Sequence, residues 1–113
     1  MRFIDAFHLC AHHTGTHFAA EIAVLAPAGW SFEEASTIPC AAVTAWSSLV
    51  THGGLQAVDW ALVQGTGGVA LFGLQIAVAA GAKVAVISSS DEKLAKTKAM
   101  GAAVGINYVN QPE

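Results

Sequence analysis

Gly65, Gly67 and Ala70 have the types and spacing that point to chemistry, since Gly-x-Gly-x-x-Ala lets backbone close on a phosphate. They follow a short apolar run, Trp60, Ala61, Leu62 and Val63, that ends in Gln64. After them an apolar segment runs from Val69 to Ala80 and stops at Gly81. Apolar run, glycine turn and helix-compatible segment read as strand, tight loop and helix. Gly65 permits a sharp turn off the strand that a Cβ would hinder. Gly67 permits close backbone approach to a pyrophosphate, and Ala70 keeps the helix near the sheet. Free N–H groups at the helix start, reinforced by the helix dipole, then face the diphosphate. A purely structural glycine turn is the rival reading. A second strand, Lys83–Ile87, completes a β-α-β unit and favours the nucleotide.

A second group of candidate residues lies near the N-terminus: His8, His12, His13 and His17, with Cys10. His8/His12 and His13/His17 are each four apart, a spacing that stacks two imidazoles on one helix face and suits a metal. Thr14-Gly15-Thr16 interrupts any such helix, and the cluster lacks a closing carboxylate or second cysteine. A polar leader is the competing reading.

The elements that must position the glycine loop follow from local signals. Glu21–Leu25 reads as a short strand and Pro27-Ala28-Gly29 as a turn. Ser31 and Glu34 fit a capping box that opens a short helix. Pro39 reads as the start of a new helix through Ala41–Thr51, ended by His52-Gly53-Gly54. Leu55–Val58 leads into the first strand, with Asp59 at its mouth. After the second strand, Ser89 and Glu92 fit another capping box, and Asp91–Met100 reads as a helix ended by Gly101. Ile106-Asn107-Tyr108 reads as a third strand. The expected fold class is therefore α/β: a Rossmann-type β-α-β-α-β first half of a doubly wound parallel sheet, preceded by helices, as an incomplete domain.

Composition narrows the function classes. With 113 residues the chain is one domain at most, small for a complete dinucleotide enzyme. A net charge of −3 with no basic run leaves no electrostatic footprint for nucleic acid. Two cysteines, Cys10 and Cys40, form no C-x-x-C, so neither a disulfide framework nor a cysteine zinc site is indicated and a reducing cytoplasm is expected. Ala35–Val58 and Trp60–Ala82 lack Asp, Glu, Lys and Arg. Pro39, His52, Gly53-Gly54 and the glycine cluster interrupt them, so buried α/β elements are read there and no membrane segment. No secretory signal is read at the N-terminus.

With these residues assembled, the chain resembles the medium-chain dehydrogenase/reductase family, in its quinone-oxidoreductase-like and zinc-type alcohol-dehydrogenase-like branches. The resemblance runs from about Ser31 to Tyr108 and is densest in SFEEASTIPCAAVTAW, LVQGTGGVALFGLQIA, VISSSDEKLAKTKAMGA and INY. It implies residues 1–30 as a leader or remnant of a catalytic domain, and 31–113 as part of a dinucleotide-binding domain. It implies that Gly65, Gly67, Gly68 and Ala70 form the pyrophosphate turn, that Val69 sits behind the nicotinamide, and that Thr44 touches it from the preceding helix. For Val69 and Thr44, ordinary core packing is the rival.

Ser88 stands where NAD-preferring members place an acid that binds the ribose hydroxyls. Ser88, Ser89 and Ser90 offer neutral donors instead, and the resemblance places Lys93 and Tyr108 around an adenosine phosphate. NADP(H) is therefore expected over NAD(H), against the rival of a helix cap and a solvated lysine. Asp91, as an alternative ribose acid, falls inside the helix start. Cys40 matches a zinc-ligand position of zinc-type members, but the family's Gly-His-Glu stretch is missing, so zinc is not expected. Two departures stand out: Val58 where the family usually has glycine, which strains a turn if that backbone needs positive φ, and Val78 where lysine is common on an outer helix face.

The resemblance implies the NADP(H)-binding portion of an oxidoreductase, with hydride transfer to or from a carbonyl, alcohol or enone/quinone substrate. Expected partners are a nicotinamide dinucleotide, a small-molecule substrate in a longer parent, and a second copy of the chain. The alternatives are a non-catalytic nucleotide-binding or interaction module, and a poorly folding truncated fragment with unpaired strand edges.

Overall fold

The computed structural model describes residues 25–110. The N-terminal histidines, Cys10 and all but the last residue of the expected Glu21–Leu25 strand lie outside them. A turn at Pro27, closed by the Trp30 N–H donating to the Pro27 carbonyl at 3.4 Å, leads into a helical segment.

Helix α1 (Phe32–Thr37) opens on the expected capping box. Ser31 Oγ accepts from the Glu34 N–H at 3.2 Å, and Glu34 Oε2 accepts from the Ser31 N–H at 2.9 Å. Pro39 does not start a new helix as expected. The chain stays helical through Ile38–Ala42 with the wider π spacing, through helix α2 (Val43–Trp46), and through a second π stretch, Ser47–His52. A prolyl nitrogen donates nothing to the carbonyl four residues back and its ring crowds that carbonyl. Here Ile38 donates to the Ala35 carbonyl in its place, and the Val43 N–H reaches the Ile38 carbonyl five residues back, so the helix continues past the proline with the wider spacing rather than breaking.

Strand β1 (Trp60–Gln64), helix α3 (Gly68–Ala79), strand β2 (Lys83–Ser88), helix α4 (Asp91–Ala99) and strand β3 (Val104–Asn107) follow in alternation. The strands form one parallel sheet in the order β1-β2-β3, with Val63 opposite Val86 and Ile87 opposite Ile106. Two crossovers in the same direction place α3 and α4 on one face. That face holds the core: Ala61, Val63, Leu74, Ala77, Val84, Val86 and Leu94, closed by Ala82 and Ala102. Leu49, from the second π stretch, packs against it. This is the expected α/β, Rossmann-type arrangement.

The opposite face is open among the described residues. Trp60 and Leu62 on β1 are 59% and 58% exposed, beside half-buried Ala85, Ile87 and Ile106. Parallel sheets are ordinarily covered on both sides, so this apolar face and the free edge of β1 are where the fold is least satisfied. No helix of the described residues is long and apolar enough to cross a membrane.

Both departures read from the sequence have structural consequences. Val58 has φ +70, the one non-glycine residue with positive φ among those described, and is 78% exposed. The turn is held by the Val58 N–H to the Gly81 carbonyl at 3.0 Å and by Asp59 Oδ2 accepting from the Gln56 N–H at 2.8 Å. A β-branched residue there carries strain of about 1–3 kcal/mol. Val78, in contrast, is not an exposed outer-face residue. It is half-buried and packs on the turn between α4 and β3, where a Cβ added to Gly101 would lie 3.1 Å from Val78 Cγ1.

Candidate functional site

Parallel strands end on a common edge, and in open α/β sheets ligands bind outside the carboxyl ends. Here Gln64, Ser88 and Asn107 mark that edge, so the loops after the three strands are neighbours although they are far apart in sequence.

At the exit of β1, Gly65 turns the chain with φ +83, and its N–H donates to the Ile87 carbonyl at 2.8 Å. The loop is thereby stitched to β2. Gly67 is the N-cap of α3, with φ −82 and ψ −178, and its carbonyl accepts from the Leu71 N–H at 2.9 Å. That conformation suits any residue, and a Cβ at Gly67 would meet nothing within 4 Å. Serine or aspartate would cap the helix better, since glycine leaves the first-turn N–H groups without a side-chain partner. Neither backbone nor packing demands glycine at this position. Unobstructed space in front of free N–H groups fits the diphosphate of a dinucleotide, and no acidic residue stands in the first turn of α3 to oppose it.

Behind the loop, Ala70 is half-buried against the core, while Val69 faces a cleft of about 210 Å³. Ala45, Ser48 and Leu49 form one wall of the cleft, and Leu62, Val63, Gln64 and Gly73 the other. Thr44 is exposed one helical turn before Ser48. Ser48 and Gln64 were not among the residues expected from the sequence. A step of four along the helix from Thr44 finds the first, and the last strand position before Gly65 finds the second.

At the exit of β2 the serines divide. Ser88 is only 4% exposed, and its Oγ accepts from the Ser90 N–H at 3.4 Å. Ser89 is exposed. Ser90, rather than Ser89, caps α4: it is extended, and its Oγ accepts from the Lys93 N–H at 3.4 Å. Glu92 closes no capping box and pairs instead with Lys96 at 2.7 Å. Lys93 is exposed and forms no ion pair among the described residues. Tyr108, expected inside β3, follows its end and is 53% exposed. Asp91 accepts from Asn107 Nδ2 at 2.8 Å and from Asn110 Nδ2 at 3.2 Å, so both its oxygens are engaged. The sequence-expected residues thus form two groups on one edge: Gly65, Gly67, Gly68, Val69 and Ala70 at the exit of β1, and Ser89, Lys93 and Tyr108 around the exits of β2 and β3, with Ser88 beneath. Thr44 is exposed on the helix that walls the cleft but does not itself line it. Cys40 is exposed in the first π stretch, and no group of three His, Cys, Asp or Glu side chains able to hold a metal occurs among the described residues.

Comparison with known proteins agrees with this arrangement. The zinc-binding dehydrogenase family model matches residues 68–113. A zinc-type alcohol dehydrogenase-like protein of Schizosaccharomyces pombe is 52% identical over 96 residues, covering 83% of this chain and 28% of that protein. The chain belongs to the medium-chain dehydrogenase/reductase family.

Among solved members, an NAD-dependent alcohol dehydrogenase is 38% identical with a TM-score of 0.71, covering 76% of this chain and 25% of its own. The quinone oxidoreductase of Thermus thermophilus, solved also with NADPH, is 31% identical with a TM-score of 0.73 and covers 81% of this chain and 31% of its own. The chain therefore spans between a quarter and a third of these members' lengths. The stretch that matches the zinc-binding dehydrogenase model contains neither histidine nor cysteine, so the match rests on α3, β2, α4 and β3 and on no zinc ligand of those two types.

Proposed function

We propose that this chain is the NADP(H)-binding portion of an oxidoreductase that transfers hydride to or from a carbonyl, alcohol or enone/quinone substrate. The observation that carries this reading is Gly67, a glycine with ordinary φ and open space before it at the uncapped start of α3. Gly65, Gly67, Gly68 and Ala70 are assigned to the diphosphate, which the first-turn N–H groups of α3 attract. Val69, Ser48 and Thr44 are assigned to the nicotinamide side of the cleft. A bound nicotinamide supplies the hydride, and the chain orients the ring and keeps water from one face of it.

The preference for NADP(H) rests on the second loop. No carboxylate is free at the end of β2, because Ser88 stands there and Asp91 is occupied by two amides. Ser89, Lys93 and Tyr108 remain to meet a 2′-phosphate, with Lys93 supplying the charge. The reading assigns no role to zinc and places the protein in a reducing cytoplasm. It names no proton donor or base in this chain, so the expected turnover of the chain alone is negligible.

Calorimetric titration with NADPH and NADH tests the assignment. NADPH is expected to bind about tenfold or more tighter, and Lys93→Ala to remove most of that difference while leaving NADH unchanged. Equal binding of the two cofactors with a silent Lys93→Ala would overturn the phosphate preference. Absence of binding by folded protein would overturn the cofactor role.

A further inference from the structure

The adenosine end of the site has a feature that neither the glycine loop nor the serines explain. Tyr108 stands just past β3, and its backbone is held on both sides. Its own N–H donates to the Ser88 carbonyl at 3.2 Å, and the next N–H, of Val109, donates to Asn107 Oδ1 at 3.0 Å. Asn107 is itself only 8% exposed, and its Nδ2 donates to Asp91 Oδ1. Two residues beyond Tyr108, Asn110 reaches the other oxygen, Oδ2, of the same carboxylate. One side chain at the first position of α4 thus grips the strand exit before and after Tyr108, across 16 and 19 residues of sequence. Asp91 is also two residues from Lys93 and directly follows Ser89-Ser90.

We infer that Asp91 is a positioning residue: it ties the segment carrying Tyr108 to the helix start carrying Ser89 and Lys93, so that the two sides close on the adenosine phosphate as a fixed pair. This rests on the assignment of those residues to the phosphate. A carboxylate so near a phosphate would ordinarily repel it. Engaging both oxygens with amide donors gives that charge a structural use and turns its lone pairs away from the phosphate, and Lys93 offsets the charge that remains. Hydrogen bonds to a charged group are stronger than neutral ones, which suits a link meant to hold a chain exit in place.

Two readouts on the intact chain separate this inference from the reading beneath it. The first is amide hydrogen exchange. Asp91→Ala is expected to speed exchange at Tyr108 and Val109 about tenfold or more, with the β1–β2 amides unchanged. The second is binding of 2′,5′-ADP against 5′-AMP. Asp91→Ala is expected to weaken 2′,5′-ADP about five- to tenfold and 5′-AMP less than about twofold. The exchanged pair, Asp91→Asn with Asn107→Asp, keeps a donor and an acceptor at each link and is expected to restore both readouts. Should Asp91→Ala fail to fold, Asn110→Ala removes one of the two links without touching the bonds of the Tyr108 and Val109 amides, and is expected to move both readouts in the same direction by a smaller factor. Unchanged exchange at Tyr108 and Val109 overturns the inference. So does weaker 5′-AMP with tighter 2′,5′-ADP, which is the signature of an acid binding the ribose. If wild type fails to distinguish the two nucleotides and Lys93→Ala is silent, the phosphate reading falls. The exchange measurement still decides whether Asp91 anchors Tyr108.

Discussion

The exits of β1 and β2 lie on one edge of the same sheet and are built in opposite ways. The first is shaped by missing side chains: Gly65 turns at φ +83, Gly67 leaves space open, and the start of α3 has no side-chain cap. The second is shaped by side chains that bond one another: Ser88 to the Ser90 N–H, Ser90 to the Lys93 N–H, Asp91 to Asn107 and Asn110. A diphosphate is the same in every dinucleotide and is met by backbone, whose N–H groups are invariant. The ribose substituent differs between cofactors, and discriminating it requires side chains with charge and shape. The contrast separates affinity from selectivity along one sheet edge.

Substitutions can break this contrast in graded steps. Gly67→Ala has the largest expected effect. A methyl there meets nothing in the protein, so stability should change by no more than about 1 kcal/mol. Binding of NADPH and NADH should both fall about tenfold or more, because the methyl occupies space assigned to the diphosphate. Parallel thermal melts and titrations check this, and unchanged binding would remove Gly67 from the site.

Val58→Gly sharpens the comparison from the opposite edge of the sheet. Relief of strain at φ +70, less the entropy glycine loses on folding, should raise stability by about 1 kcal/mol in denaturant melts. Cofactor affinity should not move, since Val58 lies just before the amino end of β1, away from the loops. A smaller effect again is expected of Ser90→Ala. Losing the cap of α4 should cost somewhat under about 1 kcal/mol, visible as a lower midpoint of urea unfolding. A silent Ser90→Ala would mean that the second loop is held by the bonds of Ser88 and by Asp91 with its amides.

Much of the fold was legible because its signals are local. The alternation of short apolar runs, glycine turns and capped helices needs only neighbours in sequence to be read, and Ser31–Glu34, Gly65–Ala70 and Gly101 were placed correctly on that basis. Local signals misled where two choices lay side by side. Ser89 and Ser90 are both capable caps, and Ser90 won because Ser88 binds its N–H and starts the turn one residue later. Pro39 normally marks a helix start, yet donation from Ile38 to the Ala35 carbonyl carried the helix past it.

The amino-acid sequence by itself determined the strand-loop-helix that presents free N–H groups and the lack of an acid at the end of β2, since both follow from residue type and local spacing. The strain at Val58, in contrast, became definite only with its φ of +70. Tertiary structure alone decided which serine is reachable. Ser88 is buried because the register pairs it with Asn107 on the covered face. Val78 is half-buried because the Gly101 turn folds over the end of α3. The carboxylate of Asp91 is committed to amides 16 and 19 residues away, partners that no local pattern announces. Period and turn chemistry act within a few residues, whereas burial and long-range hydrogen bonds exist only once parallel strands are in register.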